Sequence, residues 1–227
     1  MGCHHGQPGT VQIWNATSGV LLATCRGHSG HVNSVNWSPD DTYIVSGGHD
    51  ATAKVWIASS GNLRYTYSNH TKYVNAVTWS PDGNHIASAS GDTTVQVWNA
   101  SSGQYLFTYR GHADEVEAVE WSPNGTNLVS GSLDKTAQVW NVSSGNTVQA
   151  YRGHSNWVLG VSWSSDSTRV VSCGQDATAQ VWNASAGNAL YTYQGHSSVV
   201  EAVTWSPNSI YIASASDDKT VQVWSTR

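Results

Sequence analysis

Histidine, serine and aspartate recur together in this chain at fixed separations, and these are the residue types of a nucleophilic hydrolase. The sets are His28/Ser46/Asp50, His70/Ser88/Asp92, His112/Ser130/Asp134, His154/Ser172/Asp176 and His196/Ser214/Asp218. Each is followed six residues after its Asp by a tryptophan: Trp56, Trp98, Trp140, Trp182 and Trp224. A catalytic triad needs one exposed nucleophile, one base and an oxyanion hole at a single cleft. Five equivalent copies, with nothing to single out one of them, argue for a repeated structural role and against an active site. A hydrolase would lose turnover on Ser130→Ala at an unchanged melting temperature.

Other chemistries find little support. Cys3, Cys25 and Cys173 are odd in number and far apart, without disulfide or zinc spacing, which favours a reducing, cytoplasmic setting. If Met1 is removed, Gly2-Cys3-His4 resembles an amino-terminal copper or nickel motif. We read residues 1–9 instead as a flexible tail, and expect neither metal nor cofactor. Gly6 stands where a myristoylation signal has Ser or Thr. Six Asn-x-Ser/Thr sequons, at Asn15, Asn69, Asn99, Asn124, Asn141 and Asn183, read as by-products of turn composition. With 10 Lys+Arg against 15 Asp+Glu and no basic run, nucleic acid and anionic membrane are poor partners.

The elements that carry the sets repeat with them. Trp14 to Trp224 form a series of six at a step of 42 residues; Trp37, Trp79, Trp121, Trp163 and Trp205 keep the same step, and Trp157 alone belongs to neither. Within one period, Val32–Trp37 alternates and ends in Ser38-Pro39-Asp40-Asp41. Tyr43–Ser46, Thr52–Trp56 and Leu63–Tyr67 follow, separated by the turns at His49-Asp50 and Ser59–Asn62. Four short strands with such punctuation predict an antiparallel meander. One small sheet cannot bury both faces, so copies must stack.

Gly27-His28, Ser46, Asp50 and Trp56, with their equivalents in each period, resemble the WD40 family over nearly the whole chain. The likeness among copies is similar to that of recently amplified bacterial and fungal arrays. The residue after Trp departs from the family's Asp, being Asn15, Ile57, Asn99, Asn141, Asn183 or Ser225. The resemblance implies an all-β propeller over residues 10–227, with five four-stranded blades. It also implies a buried chain of hydrogen bonds from Trp to Ser, Ser to His and His to Asp in each blade. Residues 10–25 supply only a third and a fourth strand, and the chain stops after a third strand at Trp224. Val20–Cys25 is therefore expected to close a ring beside the strand ending at Trp224, leaving Thr10–Asn15 redundant. An open array closed by a partner chain, or a piece of a longer array, are the other readings.

Partner information must lie where the copies differ. Three residues after each His stand His31, Tyr73, Glu115, Trp157 and Val199; two further on come Asn33, Asn75, Glu117, Leu159 and Glu201. Before the Asp of each set lie His49, Gly91, Leu133, Gln175 and Asp217. In similar WD40 rings these positions surround the channel mouth where partners dock. Aromatic anchors beside acidic groups are the make-up of a protein-recognition surface. The expected function is a non-catalytic protein–protein interaction scaffold for a basic or mixed-charge protein or peptide, monomeric or joined through strands. The alternatives are a carbohydrate-type ligand propeller stacking sugars on Trp157 or Tyr73, and a fragment of the sensor array of a larger signalling protein.

Overall fold

A computed structural model describes residues 9–226; Cys3, His4 and His5, with most of the expected tail, lie outside the described residues. All regular structure among the described residues is β. The described residues divide into two compact units, residues 9–92 with 96–107 and residues 93–95 with 108–226.

A two-stranded sheet comes first, β1 (Thr10–Trp14) with β2 (Leu21–Arg26). The first blade is β3 (Val32–Trp37), β4 (Tyr43–Gly48), β5 (Ala53–Ile57) and β6 (Leu63–Tyr67). The second is β7 (Val74–Trp79), β8 (His85–Ser90), β9 (Val95–Asn99) and β10 (Tyr105–Tyr109). The third is β11 (Val116–Trp121), β12 (Asn127–Ser132), β13 (Ala137–Asn141) and β14 (Thr147–Tyr151). The fourth is β15 (Val158–Trp163), β16 (Arg169–Gly174), β17 (Ala179–Asn183) and β18 (Ala189–Tyr193). The fifth has three strands, β19 (Val200–Trp205), β20 (Ile212–Ser216) and β21 (Val221–Trp224).

The turns follow from their residues. In the first turn of the first blade, Ser38 Oγ donates to Asp40 Oδ1 at 2.6 Å and accepts the Tyr43 amide at 2.9 Å. After the third strand, Asn99 Oδ1 accepts the amides of Ser101 and Ser102, and Asn183 Oδ1 those of Ser185 and Ala186. An asparagine after Trp therefore builds the turn itself, which is the physical content of the sequons at these positions. The residue after each set's Asp is left-handed without being glycine: Ala51, Thr93, Lys135, Ala177 and Lys219 have φ between 60° and 71°.

Blades within a unit pack by inserting the inner strand of one onto the face of its neighbour. In the first unit, Val74, Val77 and Trp79 lie with Val45, Ala53 and Val55. In the second, Val158, Val161 and Trp163 meet Val129, Ala137 and Val139, and Val200, Val203 and Trp205 meet Val171, Ala179 and Val181.

The first two strands of the chain form a hairpin. β2 pairs with β1 in register, Val11 opposite Cys25 and Ile13 opposite Ala23, and the sheet containing β21 ends at that strand. Val11 and Ile13 are held by Ile44, Trp56 and Ala58 of the first blade, so the pair stays together as a hairpin packed on that blade.

Candidate functional site

The polar sets form one directed chain per blade. His Nε2 lies 2.8 Å from Ser Oγ in all five, at Ser46, Ser88, Ser130, Ser172 and Ser214. His Nδ1 lies 2.8–3.0 Å from the carboxylates of Asp50, Asp92, Asp134, Asp176 and Asp218. Indole N–H groups donate to the same serines from Trp56, Trp98, Trp182 and Trp224, at 2.8, 3.4, 3.1 and 3.1 Å. Because the serine accepts from Trp, its own proton goes to His Nε2, which leaves Nδ1–H to donate to Asp. Burial lowers the pKa of His28, in keeping with that neutral tautomer. Each serine side chain is thus consumed within its own blade and buried, which removes the exposed nucleophile a hydrolase needs.

The carboxylates gather partners that the sequence reading did not identify. Asp50 accepts from Thr52 Oγ1 at 2.7 Å and from the Ser29 amide at 3.0 Å. Burial raises the Asp50 pKa, but the Thr52 and His28 hydrogen bonds and the Ser29 amide outweigh it and hold it at about 2. Thr136, Thr178 and Thr220 repeat the Thr52 bond at 2.6–2.8 Å. A second clamp joins neighbouring repeats. Tyr109 stacks on Trp140 at 4.5 Å and donates to Gln138 at 2.7 Å; Tyr151 does the same with Trp182 and Gln180. The signal was available, since Thr, Tyr and Gln all keep the 42-residue step.

A third element, at the last inward position of the inner strand, differs from blade to blade. Asn36 Oδ1 accepts the Trp79 amide at 2.9 Å, Glu120 Oε2 the Trp163 amide at 2.6 Å and Ser162 Oγ the Trp205 amide at 3.4 Å. Any acceptor of suitable reach joins these strands, and only Glu120 brings a charge. Burial raises its carboxyl to about 7 against the pull of the Trp163 amide and Ser162.

The variable positions meet at one end of each blade. The amides of His49, Gly91, Leu133, Gln175 and Asp217 donate to the carbonyls of His31, Tyr73, Glu115, Trp157 and Val199 at 2.8–3.1 Å. Between these strands every inner strand carries a register shift, which falls on Asn33, Asn75, Glu117, Leu159 and Glu201. A bulge re-aims one side chain while the ladder continues on both sides. In the first unit His31 and His49 meet edge-on at 5.8 Å and His49 stacks on Tyr73 at 5.2 Å. Asn33 Nδ2 donates across to the Val74 carbonyl. In the second unit Trp157 is 41% exposed although its backbone is fixed by Asn156 Oδ1 and the Gln175 amide. Leu133, Leu159, Gln175 and Val199 are half-buried, and Glu201 and Asp217 exposed. Glu117 is raised to about 6 by burial and then by Glu115, Glu201 and Asp114, so these acids share one field. Burial and Asp217 likewise raise Glu201.

No group of three or more metal-ligating side chains occurs among the described residues. Cys25 and Cys173 are buried free thiols, and burial raises the pKa of both. A groove of about 370 Å³ in the first unit runs past Asp40, Tyr43, Trp79 and Asn84. Arg64 lies 4.4 Å over the Tyr43 ring and covers its aromatic floor, so packing accounts for it. No helix among the described residues is long and apolar enough to cross a membrane.

The family model "WD domain, G-beta repeat" matches residues 19–56, 61–99, 103–141, 145–183 and 187–225. A WD repeat-containing protein of Dictyostelium discoideum is 51% identical over 35 residues, which are 15% of this chain and 6% of that protein. WD40 repeats generally mediate protein–protein interaction, and the family is typically non-catalytic. With five matches over the greater part of its length, on sheets built as described, the chain belongs to the WD40-repeat family.

Proposed function

We propose that the chain is a cytoplasmic, non-catalytic scaffold that holds a basic or mixed-charge protein segment at the bulged end of its blades. The observation that carries this reading is the bulge itself. It recurs at the same register in each inner strand, yet the residue it turns out is Asn33, Asn75, Glu117, Leu159 or Glu201. Backbone geometry is kept while the side chain varies, as in a surface that presents chemistry on a fixed frame. Trp157 supplies the apolar anchor, and Glu115, Glu117, Glu201 and Asp217 supply negative charge. Nucleic acid and anionic lipid are disfavoured by the same acids. The cytoplasmic setting rests on Cys25 and Cys173, both buried as thiols.

Immobilised peptides of positive, mixed and negative net charge provide the test. Positive or mixed peptides are expected to bind, more weakly as salt rises and as pH falls below about 6, where Glu117 gains its proton. Trp157→Ala should weaken binding roughly tenfold or more at an unchanged melting temperature. Binding indifferent to both salt and Trp157→Ala refutes the reading.

A further inference from the structure

The groove between the first and second blades holds more polar chemistry than its packing uses. It lies wholly within the first unit, between the turn after β3, the turn after β7 and Ala100–Ser101. Arg64 settles its aromatic floor, lying 4.4 Å over Tyr43, which stacks in turn on Trp79 at 6.5 Å. A guanidinium carries five N–H donors, yet Arg64 makes one bond, from Nη2 to the Ser101 carbonyl at 3.2 Å. No carboxylate among the described residues pairs with it. Asp40 takes its bonds from Ser38 and the Thr42 amide on Oδ1, which leaves Oδ2 open. Asn84 gives Nδ2 to Asp82 at 2.9 Å and leaves its own Oδ1 open.

The repeat supplies an internal control. An equivalent groove in the second unit, between the third and fourth blades, has Asn127 in the place of Tyr43, Val148 for Arg64 and Thr168 for Asn84. It measures about 200 Å³ against about 370 Å³ in the first unit. The strands beneath pack alike in both, Trp79 with Val45 and Val55, and Trp163 with Val129 and Val139. Asn127 and Val148 therefore satisfy what blade packing asks of these positions. The stacked Arg64 and Tyr43, with the open polar atoms around them, exceed it.

We propose that this groove binds a neutral sugar of one or two rings. Its volume lies at the lower end of the range for small-molecule sites. Charge then selects the ligand. Asp40 and Asp82 both line the groove and oppose an anion, while Arg64 already holds the ring face that a cation would take. Each sugar hydroxyl both donates and accepts. Neighbouring hydroxyls can therefore accept from the free guanidinium N–H groups and donate to Asp40 Oδ2 and Asn84 Oδ1. Pro39, Tyr43 and Trp79 give the sugar's C–H groups an apolar lining. The site is separate from the bulged end of the blades, since Asn33 lies at the start of β3 and Asp40 beyond its far end.

Saturation-transfer NMR on the full chain tests this. The probes are the methyl glycosides of glucose, galactose and mannose, N-acetylglucosamine, maltose and cellobiose, with inositol hexakisphosphate and spermidine as charged controls. At least one sugar is expected to bind, equally well at low and high salt. Binding by none of the sugars, or by the charged controls alone, overturns the proposal. Tyr43→Asn combined with Arg64→Val copies the groove of the second unit, so it is expected to fold and to weaken sugar binding roughly tenfold or more. Asp40→Asn keeps the turn, as Asn124 does by accepting the Thr126 amide at 3.0 Å, and should weaken binding roughly tenfold. Sugar binding that survives both changes refutes the site. Trp157→Ala should leave it unaltered; a sugar released by that change sits elsewhere and refutes the site as well.

Discussion

Glu120→Gln should stabilise the protein at pH 8 and do so far less at pH 5. Glu120 joins two inner strands through one short bond to the Trp163 amide. Asn36 and Ser162 make the equivalent bond without a charge, so the amide needs an acceptor and not an anion. Glutamine keeps a carbonyl oxygen of the same reach. The folded carboxyl titrates at about 7 against an ordinary 4.5, so the folded state holds its proton more tightly than the unfolded chain. Stability from this group is therefore complete below about 4.5 and lost as pH rises through about 7. The full difference corresponds to roughly 3 kcal/mol, or about 6–12 °C in Tm for a chain of this size. Thermal melts of wild type and variant at pH 5 and pH 8 isolate the effect, because the other titrating groups are common to both proteins. A Tm difference that is the same at both pH values refutes the argument, as does a variant less stable at pH 8.

The polar network should dominate stability. Asp134→Ala leaves His112 Nδ1–H and Thr136 Oγ1 without their acceptor and should cost about 2–4 kcal/mol, read from a urea titration. Asp50, held at about 2, contributes about 2 kcal/mol that is present above pH 4 and lost as pH falls through 2. Acid titration of Asp50→Asn should accordingly show a flatter acid limb than the wild type. Ala177→Gly relieves a φ of 60° and should add about 0.5–1 kcal/mol, a rise of a few degrees in Tm.

How much of this was legible depended on what repeats. His, Ser, Asp and Trp keep the 42-residue step because every blade solves the same burial problem, so the sequence revealed the strands and the network together. Thr136, Gln138 and Tyr109 keep that step as well, yet their partners lie in different strands, and composition does not indicate which hydroxyl reaches which carboxylate or amide. The bulge at Glu117 or Leu159 was hidden for a different reason. Alternation within Val-Glu-Ala-Val-Glu-Trp reads as a regular strand, and only pairing with β12 exposes the extra residue. The same limit governed the two ends. Val20–Cys25 has the composition of an outer strand wherever it lies, and its partner is decided by packing, with Val11 and Ile13 on Ile44 and Trp56.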